Sequence, residues 1–66
     1  MKVEILVKNI RQEKNISLVK LSKRRGVSTT HINDIENNNK SPSLYVMIRL
    51  AKALEVEITK LYRAKW

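Results

Sequence analysis

No cysteine occurs in the 66-residue chain. That excludes disulfides and a thiolate zinc site. The one histidine, His31, has no Cys, His or carboxylate neighbour at metal spacing, so no metal and no cofactor is expected. Long apolar runs are missing too. The longest, Leu44 to Ile48, falls far short of the ~20 residues that a spanning helix needs. Ile5-Leu6-Val7 is bracketed by Glu4 and Lys8 and is no signal-peptide core, which predicts a soluble, cytoplasmic chain. Aromatics number three, Tyr45, Tyr62 and Trp66. There is no nucleophile–base pair and no phosphate loop, so no enzyme is expected. Acidic residues are scarce: six Asp and Glu stand against fourteen Lys and Arg, for a formal net charge of +8.

That charge, in a chain this short, points to a polyanionic partner, either nucleic acid or an anionic membrane surface. The bland alternative is that the charge serves solubility. Residues 1–66 make one small domain. Such a chain buries about 60% of its unfolded surface, so it depends on close helix packing, on oligomerisation, or on both.

The apolar positions keep helical spacing. Val3, Leu6, Val7 and Ile10 form one face of a first helix, closed by Lys14-Asn15. Ser17 caps a second helix that ends at Gly26, the one residue free to take positive φ without steric cost. Ser28 caps a third, with Ile32, Ile35 and Glu36 facing inward and Asn37-Asn38-Asn39 stopping it. Ser43, after Pro42, caps a fourth that buries Leu44, Met47, Ile48, Ala51 and Leu54. Ile58, Leu61 and Tyr62 mark a last short helical turn. Nothing alternates with period two for more than a few residues, so no sheet is expected. The fold class is all-α, a compact five-helix bundle. The second and third helices are joined around Gly26 at the spacing of a helix-turn-helix.

The stretch "IRQEKNISLVKLSKRRGVSTTHINDIENNNKSPSLYVMIRLAKALEVEITKLY", residues 10 to 62, resembles the phage-repressor and Cro-like helix-turn-helix family, the XRE group, and the resemblance covers about residues 5 to 62. The resemblance is carried by Arg11, Glu13-Lys14, Ser17, Leu21, Gly26-Val27-Ser28, Ile32, Ile35-Glu36-Asn37, Pro42-Ser43-Leu44 and Leu50 to Leu54. It implies a lambda-repressor-like DNA-binding domain. It also implies a structural salt bridge between Arg11 and Glu36, since a carboxylate near the core needs a cation. The chain departs from the family pattern at four places. Leu18 stands where a phosphate-binding glutamine is usual, Arg25 replaces an apolar residue, Ser22 an alanine, and Glu55 the glycine that ends the fourth helix.

The polar third helix then finds an explanation. Thr29, Thr30 and Asn33 lie on an outward stripe with Asn37, and a helix in the major groove presents such residues to base edges. Thr can bond a base or meet a thymine methyl, and Asn can pair bidentately with adenine. Asp34 can accept from a cytosine amino group or repel misplaced phosphate. The bland reading of this stripe is a solvated helix face. Phosphate contacts are expected from the helix starts at Ser17, Ser28 and Ser43. Lys23, Arg24, Arg25, Asn37, Asn39, Lys40 and Tyr45 flank them. His31 is a bystander or a further phosphate donor. Lys2, Lys52 and Lys60 read as solvated charges. So small a reader needs a symmetric homodimer, and Val56, Ile58, Tyr62 and Trp66 are expected to form its seam.

The leading function is therefore a sequence-specific regulator of double-stranded DNA, a repressor without a small-molecule ligand. An antitoxin-type or other protein-interaction module, with DNA binding secondary, is the alternative, and co-purification of a partner would separate them. RNA readers show exposed aromatics for stacking, and none lies beside the Thr29–Asn33 stripe. A membrane-surface helix would need one long basic amphipathic segment, whereas these helices are short.

Overall fold

Two four-residue strands, β1 (Lys2–Ile5) and β2 (Tyr62–Lys65), bring the two ends of the chain together. The computed structural model describes the backbone of residues 1–66 and every side chain except that of Arg25. Between the strands run α1 (Val7–Glu13), α2 (Leu18–Arg25), α3 (Thr29–Glu36), α4 (Leu44–Leu54) and a 3-10 turn at Ile58–Lys60. The described residues thus form four α-helices and a small antiparallel sheet. The expectation of five helices and no sheet is corrected at both ends.

The reason lies in pairing between distant segments. Lys2–Ile5 and Tyr62–Lys65 each alternate through just four residues, too few to outweigh the helical spacing of Val3, Leu6, Val7 and Ile10. Set side by side, the segments match: Lys2 faces Lys65, Val3 faces Ala64, Glu4 faces Arg63 and Ile5 faces Tyr62. Opposed residues share a sheet face, so Val3, Ile5, Tyr62 and Ala64 make one side apolar. The other side carries Lys2, Glu4, Arg63 and Lys65. There Glu4 accepts a hydrogen bond from Arg63 and lies 3.6 Å from Lys65. The Arg63 hydrogen bond, helped by the charges of Arg63, Lys65 and Lys2, holds the Glu4 carboxyl below its ordinary value against partial desolvation. A bond from the Leu6 amide to the Leu61 carbonyl at 2.7 Å carries the pairing up to the start of α1.

The helix starts and stops follow from local chemistry. The hydroxyls of Ser17, Ser28 and Ser43 accept from the amides of Lys20, His31 and Val46, each at 3.1 Å. Gly26 ends α2 with φ 69°, and Asn15 and Asn38 take φ 55° and 60° after α1 and α3, where asparagine is tolerated.

The core gathers Val7, Leu21, Ile32, Ile35, Leu50, Leu54 and Leu61, all fully buried. Met47, Leu50, Ala51, Ala53 and Leu54 form the buried face of α4. Leu44 and Ile48, expected inward, are 70% and 41% exposed. At roughly 100° per residue, the buried face centres between Met47 and Leu50, which leaves Leu44 about a quarter turn off and Ile48 about 130° away. Tyr62, expected in a helical turn, instead begins β2. No helix among the described residues is long and apolar enough to cross a membrane.

One polar tie crosses this core edge. Arg11 of α1 donates Nε to Glu36 Oε2 at 2.8 Å and Nη2 to Oε1 at 3.1 Å, and gives Nη1 to the Ile16 carbonyl at 3.0 Å. The fork-on-carboxylate geometry gives the Glu36 side chain, 4% exposed, its partner beside the core. It anchors the C-terminal end of α3 to α1. The Glu36 hydrogen bond raises the Arg11 pKa further, against the cost of burial.

Candidate nucleic-acid interface

The sides of α3 are unlike. Ile32 and Ile35 are fully buried, while Thr30, Asn33 and Asn37, spaced three and four apart, are exposed along one stripe. Thr29 at the helix start is half-buried beside them. Asn37 donates Nδ2 to Asn33 Oδ1 at 3.1 Å, which orients the Asn33 amide. Asp34 is half-buried and lies 3.9 Å from the Lys40 ammonium, so the two charges offset one another at the end of the stripe. His31 turns Nε2 inward, where it has no hydrogen-bond partner among the described residues.

Around α3 the helix starts share one feature. The first turns of α2, α3 and α4 read LVK, TTH and LYV, without an acid. Asp and Glu are the residues usually placed there to meet the positive end of the helix dipole. Each capping serine spends an acceptor on its own helix, which leaves its O–H proton to give.

A model of the helix-turn-helix group HTH_3 matches residues 7–61. The chain belongs to this helix-turn-helix family. HTH_3 is a family of non-enzymatic DNA-binding regulators. The chain is similar to the "ImmF control region 10 kDa protein" of Bacillus phage phi105, at 32% identity over 60 residues, covering 91% of this chain and 67% of that protein. Among solved structures it is similar to an HTH_3 family transcriptional regulator from Vibrio cholerae, at 28% identity and a TM-score of 0.79. That alignment covers 82% of this chain but 30% of the Vibrio chain. A Bacteroides fragilis crystal structure aligns over 94% of this chain and 100% of its own, with a TM-score of 0.84 and 24% identity, a likeness of fold alone.

The HTH_3 match takes in the four helices and the 3-10 turn and stops short of both strands. Within it, the flanking side chains expected at phosphate part company. Lys23, Asn39 and Lys40 are exposed near the ends of α2 and α3. Arg24 instead gives Nη1 to the Ala53 carbonyl at 2.8 Å, where the negative end of the α4 dipole favours a cation. The side chain of Arg25 lies outside the described residues. Leu18, standing where the family has glutamine, packs against the core edge. Tyr45 is exposed, with the Arg49 guanidinium 4.9 Å over its ring and Arg49 Nη2 3.4 Å from its hydroxyl. Arg49 was not singled out in the sequence. Its spacing of four from Tyr45 on one helix face was the available signal.

The four residues expected at a seam are divided. Ile58 and Tyr62 line one groove, and Val56 lines another, beside Ile10 and Lys60. Trp66 is almost wholly exposed.

Proposed function

We propose that this chain, a single domain over residues 1–66, is a cytoplasmic transcriptional repressor that binds double-stranded DNA in a sequence-specific way. In this reading α3 and its caps, residues 28 to 37, enter the major groove. Thr29, Thr30 and Asn33 read base edges, and Asp34 sets the edge of the contact. Ser17, Ser28 and Ser43 give their hydroxyl protons to phosphates, joined by Lys23, His31 through its other nitrogen, Asn37, Asn39, Lys40 and Tyr45. Two copies act together on a two-fold operator. The observation that carries the reading is the exposed Thr30–Asn33–Asn37 stripe, set between acid-free helix starts on a chain of net charge +8. The names of the relatives agree with it: one is a phage control-region protein and one a transcriptional regulator.

Selection of bound duplexes from a random pool tests the proposal. The expected product is one short motif, repeated in inverted orientation with centres about 34 Å, or one helical turn, apart. Recovery of duplexes without a shared motif would remove the reading role from α3.

A further inference from the structure

The terminal sheet has an apolar face that its own chain leaves largely uncovered. Val3, Ile5 and Tyr62 stand there, and with Leu44, Met47 and Ile58 they line a groove of about 530 Å³. Val3 is 51% exposed and Tyr62 40%, beside the 70% of Leu44. Continued one residue past the end of β2, the alternation that puts Tyr62 and Ala64 on this face brings Trp66 to it as well. Trp66 is 98% exposed, so it rests on nothing in its own chain. One molecule therefore presents a large aromatic knob and an apolar hollow on the same side.

We propose that this face binds a second copy of the chain, with Trp66 of each copy seated in the other's groove. The proposal deepens the homodimer of the proposed function and rests on that reading. A surface carrying both knob and hollow is self-complementary, which is what a two-fold interface requires. Met1, Val3, Leu44 and Tyr62 are exposed apolar residues beside Trp66, surface that a second copy would cover. Charge favours the same occupant. Lys2, Arg63 and Lys65 stand on the opposite sheet face, where Glu4 offsets two of them, so copies meeting here keep most of their like charges apart. An acidic partner would be drawn to that charged face instead. The groove runs to Asn38 and Lys40, just beyond α3.

Sedimentation velocity and tryptophan emission, measured without DNA across submicromolar to hundreds of micromolar protein, test the proposal. Trp66 is the single tryptophan, so its emission reports this contact alone. Dimer formation is expected to shift the emission to shorter wavelength with the same midpoint. Trp66→Ala and Leu44→Glu are each expected to weaken the dimer about tenfold or more. Both positions are exposed, and a cooperative thermal melt at submicromolar protein, where every form is monomeric, will show that the variants stay folded. Added salt should tighten the dimer by screening like charges, the reverse of its effect on DNA binding. A monomer throughout, a dimer formed without the emission shift, or a midpoint indifferent to both substitutions would overturn the inference. A dimer that selects no duplex would remove the operator reading and leave this interface standing. A monomer that selects a motif would do the reverse.

Discussion

The side-chain amide of Asn37 reaches back one turn of α3 and holds the Asn33 oxygen at 3.1 Å. An asparagine that reads adenine must present donor and acceptor in a fixed plane. The Asn37 bond fixes that plane before DNA arrives, and leaves Asn33 Nδ2 and a second lone pair on Oδ1 for a base edge. Asn33→Ala is therefore expected to cost about 1–3 kcal/mol on the preferred operator and to relax preference at one base pair. Asn37→Ala should relax the same base pair by a smaller amount, although Asn37 need not touch it. Competition with operators changed one base pair at a time checks both. If Asn37→Ala weakened every operator alike, its role would be a phosphate contact alone.

Lys40 should behave otherwise. It is exposed beyond α3, and its 3.9 Å approach to Asp34 is a loose surface pair of little strength. A lysine that meets phosphate adds a sequence-independent counterion-release effect. Lys40→Ala is expected to weaken all duplexes by the same factor and to flatten the logarithmic salt dependence by about one. Titrations of operator and random duplex over a salt series measure this. A change in the ratio of the two affinities would contradict it.

The Arg11–Glu36 pair makes a stability prediction independent of DNA. The side chains are 14% and 4% exposed, and Arg11 also satisfies the Ile16 carbonyl. Arg11→Met leaves an inward carboxylate without its cation, at an expected cost of about 3 kcal/mol or more. That is a large share of the roughly 3–10 kcal/mol available to a chain of this size. Arg11→Met combined with Glu36→Leu should lose much less than the two single losses added together, because no unpaired charge is then buried. Some loss should persist, since the Ile16 carbonyl still lacks its donor. Urea denaturation of the four proteins gives the coupling, and strict additivity would show that the pair is too well solvated to matter.

These arguments rest on features unequally visible in the sequence. Ser17, Ser28 and Ser43 announce their helices because capping acts between a hydroxyl and an amide three residues away. Gly26 is legible for a similar reason, being local and free of steric cost at positive φ. The sheet is illegible because neither strand has meaning without the other, which lies almost the whole chain away. Val3, Leu6, Val7 and Ile10 satisfy helical spacing while the chain uses Val3 in a strand and Val7 in α1. On α4 the helical spacing fits a face of Leu44, Met47, Ile48, Ala51 and Leu54, and packing turned the buried face toward Leu50 and away from Leu44 and Ile48. Arg24 shows the same limit at the site. A cation at the end of α2 reads as a phosphate ligand until the carbonyl of Ala53 is found beside it.

Glu55 carries the last prediction. It ends α4 at φ 57°, ψ 44°, with its amide bonded to the carbonyls of Ala51 and Lys52. A side chain at that left-handed position costs roughly 1–2 kcal/mol. Glycine removes this cost and returns about 0.5–1 kcal/mol through its freer unfolded chain. Glu55→Gly is thus expected to stabilise the protein by about 0.5–1 kcal/mol, or roughly 2–8 °C in melting temperature. The carboxylate also faces the negative end of the α4 dipole, so removing it contributes separately. Glu55→Gln isolates that electrostatic part, because glutamine keeps the left-handed strain. The gain from Gln should fade at high salt, where the dipole is screened, while the gain from Gly persists. Thermal melts of the three proteins at low and high salt separate the two effects. Equal stability of Gly and Gln at high salt would mean that the strain at residue 55 is no larger than the about 0.5–1 kcal/mol that glycine gives back.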